Sequence, residues 1–463
     1  MTVSATWRPH PLSGNYDDGV NWKGGIVAYA TASFGTSTIR HLTFSTDDDI
    51  SGWVFKKTAS NYVFAIPSGI DLHFAGAGIV IHGGHVKIFN DSAGFAFENL
   101  STAGSATIIN NSIDSAVNFS NASNAGHAHI LNSKSVTFND ASIASHAVIT
   151  NNFVLFFRDN SSAAHAVITT TASGVTEFFD NADGGAARFI NKLGGTVSFS
   201  PTTGPGGFQF FHAGSIEGAG TYHLGSNDVT VGSNNRSTNV SGLIDGSGGT
   251  LEKDGLGTLK LSHANNTFSD GVILIAGTLD IAAVGAAGTG NIDFATGSET
   301  HRGTLKIENA AFTNHALTTE IQQFNTDDKL LLPGLKFRPH AKATYDSGLG
   351  VLTVKSGHVT DTFTQFFNAA SGHYKAVDDG HGGTKVVVVA LGEKSTADDG
   401  ESFQFKSDVA RSNEHRAVAE LAVNTTAHTG ADTNGGDEAS LDAALHPHMA
   451  SADFWHQGDF GLI

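Results

Sequence analysis

The strongest constraint on this chain is a phrase that it repeats five times between about residues 96 and 200. Ala106-Thr107-Ile108-Ile109-Asn110-Asn111 returns as Ala128-His129-Ile130-Leu131-Asn132-Ser133 and as Ala147-Val148-Ile149-Thr150-Asn151-Asn152. Ala166-Val167-Ile168-Thr169-Thr170-Thr171 and Ala187-Arg188-Phe189-Ile190-Asn191-Lys192 complete the series. The leading alanines are 22, 19, 19 and 21 residues apart. Phe97, Phe119, Phe138, Phe157, Phe178 and Phe199 keep step with them at 22, 19, 19, 21 and 21. Each unit holds two short β-prone runs separated by Asn, Asp, Ser and Gly, and is too short to bury its own apolar side. Stacking such units hides a continuous core, so a period near 20 predicts a parallel β-solenoid.

Composition agrees. There are 55 glycines and 8 prolines, and charged residues make up 15%, which suits tight turns joining short strands. The 32 phenylalanines outnumber 6 tyrosines, as expected of rings stacked inside where a hydroxyl would need a partner. A formal charge of −18 argues against nucleic acid and anionic membrane surfaces, both of which need clustered Lys and Arg. The chain has no cysteine, so it carries no disulfide framework, in keeping with export of an unfolded chain. No run of 18 apolar residues predicts a membrane-spanning helix. The opening Met1-Thr2-Val3-Ser4-Ala5-Thr6-Trp7-Arg8 lacks a basic stretch followed by an apolar core, so no cleavable signal peptide is expected.

Residues 1–60 are irregular and hold Trp7, Trp22 and Trp53; they are expected to cap the first coil, with an aromatic carbohydrate platform as the rival reading. Residues 61–300 form the solenoid proper. Its alternation begins at Tyr62-Val63-Phe64-Ala65-Ile66 and continues through Leu72-His73-Phe74 and Val86-Lys87-Ile88-Phe89. Before three of the leading alanines stand His127, His146 and His165, which in-register coils would stack about 4.8 Å apart. Such a row suits a transition metal or pH sensing, or is simply a turn position that tolerates His.

After Pro201-Thr202-Thr203-Gly204-Pro205 the pattern changes. Gly249-Thr250-Leu251-Glu252-Lys253-Asp254-Gly255-Leu256-Gly257-Thr258-Leu259-Lys260-Leu261-Ser262 opens a longer unit that ends Gly277-Thr278-Leu279. This unit resembles the passenger-associated repeat of Gram-negative autotransporter passenger domains, roughly L-x-K-x-G-x-G-T-L-x-L-S-G-x-N-T-Y followed by G-T-L. Lys253, Gly255, Gly257-Thr258-Leu259, Leu261-Ser262 and Gly277-Thr278-Leu279 match, whereas His263 replaces the usual glycine and Phe268 the usual tyrosine. The resemblance implies a right-handed, pectin-lyase-like β-helix and an extracellular or cell-surface location. Nothing after Leu279 has the run of roughly ten-residue alternating strands of an autotransporter barrel.

Residues 301–392 read as a β-rich terminal cap or small domain. In it Asp378-Asp379-Gly380-His381-Gly382-Gly383 is either a hairpin turn or, in the form of a calcium turn, a single unrepeated copy. Residues 393–463 read as a disordered acidic tail: no Lys or Arg follows Arg416. Its apolar terminus resembles the uncleaved signal of type I secretion substrates, which would make the secretion machinery a partner.

No catalytic, cofactor or metal residue is assigned from the sequence. Glycoside hydrolysis needs two carboxylates about 5–10 Å apart, and a lyase needs a base with calcium or arginine. Within the repeats Asp114, Asp140, Asp159, Glu177, Asp180 and Asp183 form no aligned cluster with Arg158 or Arg188. Asp140, Asp159 and Asp180 follow the Phe track at one point of successive units, as turn-formers do. The expected protein is a stiff rod, on the order of 55 Å for residues 60–300 at one strand spacing per coil. It would work as an adhesin or structural component by shallow polar contact with polysaccharide or a host or matrix surface. The alternative is a polysaccharide lyase or hydrolase on the same fold.

Overall fold

The structure, a computed structural model, describes residues 3–296 and 302–390; the acidic tail and the secretion signal expected in it lie outside these residues. The described chain is all-β, a parallel β-solenoid of about 13 turns. The alanine phrase and the phenylalanine track sit on two different sides of the coil. Thr107–Asn110, His129–Asn132, Val148–Asn151, Val167–Thr170 and Arg188–Asn191 belong to a 16-stranded sheet, here the main sheet. Ala116–Phe119, Ser135–Phe138, Val154–Phe157 and Val175–Phe178 belong to a 12-stranded sheet, here the phenylalanine sheet. Register follows the sequence period: Ile130 pairs with Ile108 and Ile149, and Phe138 with Phe119 and Phe157.

Two corners in each coil need the left-handed backbone. The first is held by Asn99, Asn121, Asp140, Asp159 and Asp180, with φ between 53° and 56°. The second is held by Gly104, Gly126, Ser145, Ala164 and Gly185, with φ between 51° and 60°. Asn and Asp tolerate this conformation, and Gly adopts it freely. Between the corners runs a narrow third side, joined only by single bridges through Thr102, Asn124, Ile143, Ser162 and Asp183. The remaining corner, between the main and phenylalanine sheets, absorbs the variation in repeat length: Asn132 is followed almost at once by Ser135, whereas residues 111–115 intervene after Asn110.

The interior is built from columns. The rings of Phe97, Phe119, Phe138, Phe157 and Phe178 stack at 4.9, 4.6, 4.9 and 4.6 Å, with planes within 7° of parallel. Beside them runs a buried amide ladder: Asn90 Nδ2 donates to Asn110 Oδ1 at 2.9 Å, Asn110 to Asn132 at 3.0 Å and Asn132 to Asn151 at 2.8 Å. Each of these amides also donates across the corner to a carbonyl of the phenylalanine sheet. The ladder satisfies groups whose unpaired burial would be expensive.

From Phe210–Ala213 onward the narrow side widens into a seven-stranded third sheet. The unit that carries the passenger-like pattern alternates between this third sheet and the main sheet, the phenylalanine sheet having ended at Ile244–Asp245. Lys253 is buried, and its Nζ donates to the carbonyls of Asp254, Gly255 and Ala276 at 2.6, 2.8 and 2.9 Å. Burial pushes this ammonium down to about 8. Asn266 ties its own coil to the neighbours on both sides, accepting from the Ile244 N–H and donating to the Ala286 carbonyl.

Parallel pairing reaches further in both directions than the repeats. Ala5–Thr6 already pairs with Thr31–Phe34, and Gly277–Ile281 pairs with Gly303–Ile307, beyond the boundary expected at residue 300. Trp7, Trp22, Trp53 and Tyr16 are buried at the first turns, and Trp7 and Tyr16 both meet Trp22 edge-on at about 5 Å. They close the core; the platform reading is corrected, because no indole face is left for a sugar. At the other end Thr384–Ala390 pairs antiparallel with Lys329–Leu332, which ends the parallel stacking of the main sheet. The Asp378–Gly383 segment is the turn of the closing hairpin. Asp378 accepts from the Gly380 N–H, and Asp379 from His381 and Gly383, so its carboxylates hold the backbone.

Candidate functional site

The solenoid presents its chemistry as rows on the outside, because inward positions are filled by core columns. Four surface features combine polar side chains from different coils.

The first is the histidine row. His127, His146 and His165 are exposed, and successive ring centroids lie 5.0 Å apart with planes 21° and 17° from parallel. Each follows a left-handed corner residue, which fixes its direction, and its backbone N–H donates to the coil before. Rings stacked this way aim their nitrogens side by side. Among the described residues no three His, Asp or Glu side chains converge as a metal would require.

The second is the acid column Asp140, Asp159 and Asp180. Each carboxylate accepts from the N–H of the corner residue one coil earlier: Asp140 from Asn121 at 2.7 Å, Asp159 from Asp140 at 3.0 Å, Asp180 from Asp159 at 3.2 Å. The turn-forming role expected of them therefore extends to tying coils together. The other acids and arginines of the repeats are dispersed. Arg188 pairs with Glu217, Asp183 receives the His212 N–H, and Arg158 lies between the rings of Phe156 and Phe179 at 5.0 and 4.5 Å.

The third is a groove of about 750 Å³ on the phenylalanine-sheet side, lined by Ser198, Ser200, His223, Asp245 and Ser247 among others. His223 pairs in register with Ser198 on one side and Asp245 on the other. Its Nδ1 is 2.7 Å from Asp245 Oδ1, which orients the ring. The spacing of 22 residues between His223 and Asp245 is one coil, so the period alone carried the signal for this pair.

The fourth is a groove of about 620 Å³ between the segments 284–291 and 311–322. Thr289, Asn291, Thr318, Glu320, Gln322 and Gln365 supply hydroxyls, amides and one carboxylate to its wall. Gln322 Nε2 donates to Glu320 Oε1 at 2.6 Å, and Asn291 Nδ2 to Asp293 Oδ1 at 2.7 Å, so the acids are held by neighbouring amides. Burial raises the Asp293 carboxyl above its ordinary range, and the charge of Glu320 adds to this. Sequence reasoning misses this groove: its walls come from irregular turns of different length that share no period.

No family model matches the chain, and neither a curated protein nor a solved structure matches it significantly.

Proposed function

We propose that this protein is a rod that binds polysaccharide through its outer surface, outside the cell or on its surface, as an adhesin-like or structural component. The observation that carries this reading is the groove at Thr289, Asn291, Glu320, Gln322 and Gln365. A wall of hydroxyls and amides with one carboxylate matches a ligand rich in hydroxyls and poor in charge. The core columns make the rod stiff, so groove and rows hold fixed spacings, and several weak contacts add along one polymer chain. The likeness of Gly249–Leu279 to passenger repeats supports the location.

A polysaccharide-cleaving enzyme is the second reading, and the His223–Asp245 pair beside Ser198 favours it. A histidine oriented by a carboxylate is placed to act as the base that a polysaccharide lyase needs. One experiment separates the two. The full chain is incubated with neutral and acidic polysaccharides, and retention and polymer length are scored together. The binding reading expects retention with polymer length unchanged, and retention weakened about tenfold by Gln322→Ala with Gln365→Ala, the loss of one or two hydrogen bonds. Shortened polymer, abolished by His223→Ala, would replace it with the enzyme.

A further inference from the structure

The exposed row of His127, His146 and His165 is used by neither the core nor the polar groove, and it leads somewhere. The next residue in its column is Ala186, whose N–H donates to the Ala164 carbonyl just as each histidine N–H donates to the coil before it. A methyl in place of a fourth ring leaves a cleft of about 380 Å³ at the end of the row. His165, Arg188, Ser233, Asn234 and Arg236 line it. Arg188 comes from the main-sheet strand, in register with Val167, and Arg236 from the loop that follows the third-sheet strand Asp228–Val231. Arg236 is exposed and makes no ion pair among the described residues; Arg188 shares its guanidinium with Glu217.

This convergence runs against the character of the chain. With 44 acids to 26 Lys and Arg, a cleft lined by two arginines at the end of a histidine row is the reverse of the average surface. The other charged and titratable groups along the row and cleft are His129, three coils before Arg188 at the same register position of the main sheet, Glu217 on Arg188, and Asp183, which is held by His212. We propose that the row and cleft form a track for an acidic polysaccharide, a chain of uronate or sulfate-ester sugars lying along the solenoid axis. One acidic group sits between Arg188 and Arg236, where a guanidinium fork matches a carboxylate or sulfate. Those that follow pass over the imidazoles, whose 5.0 Å repeat is comparable to the length of one pyranose ring in an extended chain. Backbone ladders hold the donors at this repeat before any ligand arrives, so little ordering is required on binding. A nucleic acid fits less well: no Tyr, Trp or Phe lines the cleft to stack a base.

The inference rests on the reading of the rod as a polysaccharide binder but uses a different face, so the two fail separately. The full chain is run at about pH 6, near the ordinary imidazole value, by affinity electrophoresis in gels containing dextran, polygalacturonate, dextran sulfate or polyphosphate. The variants are Arg236→Gln and the triple His127→Asn, His146→Asn, His165→Asn; all four positions are exposed, and circular dichroism with a thermal melt confirms folding. The expected result is retardation by both acidic glycans, weakened about tenfold or more in each variant, the loss of at least one charge-assisted contact, with dextran retardation unchanged. Acidic glycans that retard wild type and both variants alike would overturn the track. So would wild type retarded by dextran alone, which leaves the polar groove standing. Equal retardation by polyphosphate would overturn the assignment to polysaccharide, and a chain retarded by none of the polymers would overturn both readings.

Discussion

At the scale of single residues, the left-handed corner before the histidine row separates what the fold requires from what it tolerates. Gly104, Gly126 and Gly185 meet the requirement without a side chain, whereas Ser145 and Ala164 meet it at φ 53° and 51° with one. An L-residue there costs about 1 kcal/mol relative to glycine. Ala164→Gly is therefore expected to raise the melting temperature, by the equivalent of about 1 kcal/mol less the entropy that glycine adds to the unfolded chain. Gly126→Ala should do the reverse and more, because its Cβ would stand 2.7 Å from the Gly104 carbonyl oxygen. Thermal melts of the two variants by circular dichroism decide the matter; a lower melting temperature for Ala164→Gly would contradict the account.

At the scale of elements, the asparagine ladder shows a column interrupted and repaired. Where the fifth amide would stand, the chain has Thr170, whose hydroxyl is 2.8 Å from that of Thr176. Asn151 turns to Thr176 Oγ1 instead, at 3.1 Å, and one coil further Asn191 Oδ1 is left buried without a donor. In the preceding coils the inward position of Thr176 holds Val117, Val136 and Leu155. Restoring both positions, Thr170→Asn with Thr176→Val, should reconnect Asn151 to Asn191 and stabilise the protein by about 1 kcal/mol, the net value of a buried hydrogen bond. Thr170→Asn alone should gain less, since Thr176 would compete for the same amide. The check is the order of melting temperatures, double variant above wild type; the opposite order would mean that the threonine pair is the better solution.

At the scale of the whole molecule, the buried acids set a common response to pH. Asp48, buried in the N-terminal plug beside Asp17, is pushed up to about 8, first by burial and then by the charge of Asp17. Asp48 Oδ2 finds no donor, which fits a carboxyl held in its protonated form. Burial likewise raises Asp328 to about 6. Asp361 is raised too, and His212 is raised by Asp183. A group whose folded value lies above its unfolded one makes the native state the better proton binder. Its stabilisation is then complete below the unfolded value and lost as pH rises through the folded value. For Asp48 and Asp328 the window runs from about 4, the unfolded carboxylate value, up to about 8 and about 6 respectively. Self-repulsion at a formal −18 acts in the same direction. The melting temperature should be higher at pH 5 than at pH 8, and Asp48→Asn should raise it at pH 8 and flatten the slope. A slope of opposite sign would refute the assignment of a raised carboxyl to the plug.

The repeat period is enough to specify the stacking. In a parallel solenoid each residue meets the one a coil away, so the period that links Ala106 to Ala128 and Phe119 to Phe138 is also the contact map. The phenylalanine column, the amide ladder, the histidine row and the His223–Asp245 pair all follow from it. What the irregular segments make together emerges only once the chain is folded. That Trp7, Trp22 and Trp53 plug the core depends on a fold of residues 3–60 that has no repeat. That Ala186 opens a cleft depends on Arg236 arriving from a loop some fifty residues further along the chain, and the polar groove depends on two turns of unrelated length facing one another. Periodic spacing fixes neighbours that share a register; it carries no information about side chains that meet only because loops of different coils bend toward the same space.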